Sequence, residues 1–311
     1  MEIEKGTVGS GIKKKEQKIR RSSRIIGKTM PYLWLLPSIS LIVFITVFPI
    51  YELFSASVSQ ISLSGVKKGY VGFRNFSNVL SDAVFLTVLK NTLIWTVSVV
   101  GISTVLSLGI AQLLNRDFPG RRWVRAALII PWAVSLIITS VIWKWILDYN
   151  YGVLNLILLK LNLINENIFW LASPSTSFPA MIGVGIFVTL PFTSFVLLSG
   201  LQSISAELYE SASVDGANAW SQFYHVTLPL LRQPLTISTV LNTIYVFNSF
   251  PIIWSMTKGD PVHQTDTIIT YLYKLAFAAH KMGEAAAVSV ISFLLLLLFS
   301  IIYTTIALRR E

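Results

Sequence analysis

The chain has 311 residues, 53% of them hydrophobic and 13% charged, with a formal net charge of +10. A soluble domain carries about 25% charged residues, so this much apolar surface excludes an ordinary water-soluble globule and requires a bilayer. The lack of cysteine excludes disulfides, thiolate metal sites and cysteine nucleophiles, and the histidines at 225, 263 and 280 form no cluster.

Residues 1–29 read as a basic cytoplasmic tail, and residues 30–311 as one membrane domain. Nine of the 25 Lys and Arg residues lie between Lys5 and Lys28. That concentration is a topology signal, compatible with anionic lipid, and not a nucleic-acid footprint. The stretch Gly6 to Lys13 is a near miss for a phosphate-binding loop: Ile12 interrupts the Gly-Lys pair and no strand precedes it. No cleavable signal pattern opens the chain, so the first apolar segment reads as an uncleaved anchor.

Six segments are long and apolar enough to span: Tyr32–Leu53, Asn91–Leu114, Val124–Ile146, Pro179–Gly200, Leu228–Ser255 and Ala286–Leu308. The 158–171 stretch is too polar and reads as an outer loop with an interfacial helix. Arg116, Arg121, Arg122 and Arg125 after span 2, and Arg309 and Arg310 after span 6, fall on the side of the basic tail. Both termini are therefore expected in the cytoplasm. The 201–227 loop breaks the rule, because it carries Glu207, Glu210 and Asp215 and no Lys or Arg. An acidic inner loop needs a reason of its own.

No ionisable residue sits at a span centre; Glu52, Lys90, Lys144, Asp148 and Arg232 lie near ends. This counts against a self-powered carrier, which commonly keeps a central charge. An intramembrane enzyme has no support either, since no His-Glu metal pattern, Ser/His pair or carboxylate dyad is visible. The spans do hold Pro131, Pro191, Pro234 and Pro251, with Trp132, Phe192, Thr193, Asn242, Tyr245, Asn248 and Ser249 nearby. Proline frees a carbonyl that needs a partner or a wet cavity. By spacing alone, these polar residues are either interhelical glue or a substrate path.

In the acidic loop, Ser205 can cap a helix beginning at Ala206, and Gly216 can end it. A second short amphipathic piece runs toward Phe223, and Pro229 stands at the entry to span 5. The result is a compact helical knob with small residues, suited to a protein partner.

Here the sequence resembles a known family. Glu210-Ser211-Ala212, then Gly216, then Val226-Thr227-Leu228-Pro229 match, in complete spacing, the loop motif of permease subunits of binding-protein-dependent ABC importers. Ser211 stands for alanine and Val226 for isoleucine. Val71 to Phe76, Gly259-Asp260-Pro261, Thr265-Asp266-Thr267, Tyr271-Leu272-Tyr273 and Ala276-Phe277 resemble the MalF-like carbohydrate-uptake type. The extra N-terminal spans and large outer insertion of the enterobacterial maltose subunit are missing, which withholds any maltose-specific inference. The resemblance implies an all-α, six-span permease with a cytoplasmic coupling helix between spans 4 and 5, within about residues 201–229. It assigns ATPase coupling to Glu210, Ala212, Asp215, Gly216, Leu228 and Pro229, and a substrate path to Trp132, Phe192, Asn242 and Tyr245. It implies no catalytic residue and no metal or cofactor in this chain, with ATP and magnesium bound by partner ATPases. The implied partners are a second permease, two cytoplasmic ATPase subunits, an extracytoplasmic solute-binding protein and membrane lipid. The implied location is a prokaryotic cell membrane.

Overall fold

The computed structural model describes residues 34–308. The expected basic tail, the Gly6–Lys13 stretch, Arg309 and Arg310 lie outside the described residues. The chain divides into two units, residues 1–55 and 56–311. The described part of the first is an apolar helix, α1 (Trp34–Ser57), which ends just past the boundary and contains a π turn at Val43–Val47.

The second unit opens with an antiparallel ribbon, β1 (Ser59–Ile61) and β2 (Lys67–Tyr70), the one departure from an all-helical chain among the described residues. α2 (Arg74–Leu80) follows, and Asn75 Nδ2 donates to the Ser57 and Ser59 carbonyls at 2.9 and 3.0 Å. α3 (Ala83–Asn115) starts eight residues before the expected span, because Asp82 accepts from the Val84 N–H and caps it.

α3 is the axis of the unit. Its buried residues recur at helical spacing, from Phe85 through Trp95 and Ser103 to Leu114, and they feed three successive apolar clusters. Its main partner is α7 (Pro174–Gln202), where Gly185 allows close approach to α3, while Gly200 lies against Leu231 and Pro234. Added Cβ atoms would stand 2.9 Å from the Trp95 and Val99 side chains at the first, and 2.7 Å from Pro234 at the second.

The third expected span is broken. α4 (Arg121–Ala133) and α5 (Leu136–Ile146) meet at 101°, across an extended Val134 and Ser135. Pro131 lacks an N–H and its ring crowds the preceding turn, so the helix ends two residues later. The expected interfacial helix at 158–171 is displaced: the helix is α6 (Val153–Lys160), and the chain from 161 to 173 is irregular.

α7 leads into α8 (Ala206–Val214) and α9 (Ala219–Gln222), then a π turn at Phe223–Thr227 and one more turn at Leu228–Leu230. α10 (Arg232–Phe247) and α11 (Phe250–Met256) form the next apolar segment, interrupted at Asn248 and Ser249 ahead of Pro251. The Trp95 indole donates to the Val246 carbonyl beside that interruption, at 2.9 Å. α12 (Ile268–Tyr273), unforeseen in the sequence, and α13 (Met282–Leu308) complete the unit. Five described helical segments are long and apolar enough to cross a membrane, and six if the bent α4–α5 pair is one span.

Candidate substrate path and coupling loop

Trp132, Phe192, Asn242 and Tyr245, from three separate parts of the chain, line one cavity of about 230 Å³. Val188, Thr189 and Leu241 complete its wall. The α4–α5 break sets Trp132 at the rim, where it is 62% exposed. Phe192 follows Pro191 on α7. Asn242 and Tyr245 lie three apart on α10 and share a face.

Asn242 is buried, and its Nδ2 donates to Thr193 Oγ1 at 2.7 Å. Thr193 Oγ1 in turn donates to the Thr189 carbonyl at 2.9 Å, and the Thr189 hydroxyl donates to the Gly185 carbonyl. The sequence reading singles out Thr193 only as a nearby polar residue and does not name Thr189. Their i,i+4 spacing beside Phe192 was the available signal, but it does not reveal that α10 stands opposite.

The acidic loop folds as a capped knob. Ser205 Oγ accepts from the Glu207 N–H, and α8 carries Glu207 in its first turn, where a carboxylate favours the helix dipole. Gly216 takes φ = +82°, and the Ala217 N–H reaches back to the Ala212 carbonyl at 2.9 Å. This left-handed stop is what glycine permits without strain. Asn218 then caps α9 by accepting from Ser221 N–H. Gln222 Nε2 donating to Ser213 Oγ (2.8 Å) ties α9 to α8, and a Tyr209 Oη–Thr227 Oγ1 hydrogen bond (3.0 Å) ties α8 to the π turn.

The outward side of the knob is unsatisfied among the described residues. Glu210 and Asp215 are exposed, and their carboxylates make no hydrogen bond or ion pair among the described residues. Ala212 is half-buried, and nothing lies within 4 Å of a Cβ built on Gly216. Val214, Trp220 and Tyr224 are exposed, with the Trp220 and Tyr224 rings stacked at 6.1 Å. Leu228 and Pro229 open the turn that follows the π turn. They line the end of a groove of about 1490 Å³ between α3, α10 and α13, beside Tyr224 and Arg232.

A cluster that sequence reasoning missed lies ahead of the last span. Asp266 is fully buried, with Lys274 Nζ and His263 Nδ1 on its Oδ2 at 2.7 and 2.5 Å. Asn91 Nδ2 ties the same loop to α3 through the Gln264 and Asp266 carbonyls. Tyr271 donates to Asp82 Oδ2 at 2.7 Å; burial first, and then that carboxylate, holds the phenol above its usual range.

Residues 101–311 match the family model described as the binding-protein-dependent transport system inner membrane component. The chain belongs to this family. A probable ABC transporter permease of Brucella suis is 46% identical over 92% of this chain and 99% of its own length. The trehalose/maltose transport system permease MalF of Thermococcus litoralis is 34% identical over 90% of this chain and 94% of its own. The permease thus falls with the MalF-like carbohydrate-uptake type. Its fold matches a chain of a bacterial ABC transporter involved in alginate import, with a TM-score of 0.79 at 23% identity, over 93% of this chain and 99% of that one.

Proposed function

We propose that this permease forms half of the translocation path of an ATP-driven importer for a sugar, oligosaccharide or related polyol. It carries no catalytic residue; ATP and magnesium are bound by cytoplasmic ATPase subunits. The working assembly has a second permease, two ATPases and an extracytoplasmic binding protein, in a prokaryotic cell membrane. Both termini and the α8–α9 knob face the cytoplasm. The relative named for trehalose/maltose transport supports the substrate class.

The observation that carries the reading is the knob. A loop with the family's motif spacing folds as a rigid, capped helix and holds Glu210 and Asp215 outward, unpaired among the described residues. Among the described residues nothing neutralises these charges, whereas a docked ATPase with a basic rim would. Movement of that partner then tilts α10 and α7, which border the cavity, and swings it between outward and inward access.

The test exchanges Glu210→Lys and, separately, Gly216→Val. At Gly216 a left-handed conformation costs a β-branched residue about 1–2 kcal/mol and deforms the knob. Both variants should insert normally and lose ATP-driven uptake by about an order of magnitude or more. Wild-type uptake by both would remove the coupling role.

A further inference from the structure

We infer that Thr193 is a positioning residue that turns the Asn242 amide so that its carbonyl oxygen faces the cavity, and that the cavity so built admits an uncharged, hydroxyl-bearing ring. This rests on the substrate-path reading and narrows it. Thr193 is 0% and Asn242 2% exposed, so the hydrogen bond between them is shielded from bulk water. A threonine hydroxyl has one hydrogen, and that of Thr193 goes to the Thr189 carbonyl. Its oxygen can then only accept, and the group 2.7 Å away must be the Asn242 NH₂. The amide is fixed in one of its two orientations. Its Oδ1 has no hydrogen-bond partner among the described residues, and Asn242 lines the cavity.

The rest of the wall defines the ligand. The Thr189 hydroxyl is spent on Gly185, so it offers the cavity no proton. Trp132, Phe192 and Tyr245 supply aromatic faces, and Val188 and Leu241 are aliphatic. No Asp, Glu, Lys, Arg or His is among the lining residues. A carboxylate, sulfate or phosphate would be stripped of water here with no countercharge. A sugar hydroxyl, by contrast, donates to Asn242 Oδ1 while its ring packs on the aromatic faces. At about 230 Å³, the cavity lies below the roughly 300–1,000 Å³ of sites for drug-sized ligands. This chain therefore grips about one ring.

The experiment uses the whole transporter in its host, with the gene deleted and restored as wild type or variant. Labelled maltose, trehalose, raffinose and sorbitol are the uncharged probes; glycerol 3-phosphate and an alginate trisaccharide are the anionic ones. Deletion should abolish uptake of an uncharged probe and spare the anionic ones. For that probe, Thr193→Val should lower uptake at saturation about tenfold, as expected for a lost buried hydrogen bond. Thr193→Ser, which keeps the hydroxyl, should restore most of it at equal membrane abundance. Thr193→Ala replaces the valine variant if the latter does not reach the membrane. Deletion that abolishes only anionic uptake overturns the inference, as does wild-type transport by the hydroxyl-free variants. Trp132→Ala and Asn242→Ala separate the two layers. If they impair uptake while Thr193→Val does not, the orienting role alone falls; if they too transport normally, the substrate path falls with it.

Discussion

Gly185 sets how closely α3 and α7 approach. A side chain there would press on the Trp95 ring and on Val99, both in the buried middle cluster. Packed cores do not absorb such volume, and overpacking costs about 1–3 kcal/mol. Gly183, two residues earlier on the same helix, meets nothing within 4 Å. Gly185→Val should therefore lower the thermal unfolding midpoint of the purified full-length permease in detergent, and Gly183→Val should leave it close to wild type. Equal midpoints would show that the helices separate freely. The sequence shows two glycines two residues apart and nothing that ranks them, because which one faces Trp95 depends on the rotation of a neighbouring helix. The same limit applies to the cavity. Trp132 and Phe192 each follow a proline, and Asn242 and Tyr245 share a face, so the four could be named. Thr193, the group that holds Asn242, could be noted only as a nearby polar residue.

At the scale of elements, local signals were legible where chemistry near the backbone decides. Ser205 caps α8 and Gly216 stops it, as their side-chain properties require. Hydropathy found the apolar segments but not their breaks: Pro131 foretells a kink, and a 101° break depends on what packs around α5. The loop before the last span was opaque for another reason. Asp266 is fully buried and held by Lys274 and His263, an environment that no local sequence pattern encodes. Removing one partner of a buried pair typically costs about 3–5 kcal/mol. Lys274→Met should expose the 257–274 segment to limited proteolysis and destabilise the purified chain by that order, while Lys274→Arg loses less. Unchanged proteolysis and stability in the methionine variant would mean that the pair contributes nothing to the loop.

For the whole molecule, topology and coupling are one question. The chain has no cysteine, so single cysteines report cleanly. Val214 on the knob, Tyr151 beside α6 and Val262 before the last span are 88%, 85% and 80% exposed. A membrane-impermeant maleimide should label Tyr151→Cys and Val262→Cys on intact cells, and Val214→Cys only after the membrane is opened. Labelling of Val214→Cys on intact cells would invert the topology and strand the knob away from any ATPase. Labelling of Val214→Cys only after opening would place the acidic loop inside, where a protein contact accounts for its departure from the positive-inside rule.

The central claim is that this permease moves its substrate only when ATP is hydrolysed by its partners. The direct measurement is uptake by proteoliposomes holding the complete transporter and binding protein, with ATP inside or with an imposed proton or sodium gradient instead. Uptake with ATP that persists when both gradients are collapsed, and none on gradients alone, is the predicted result. Uptake driven by either gradient without ATP would contradict the account.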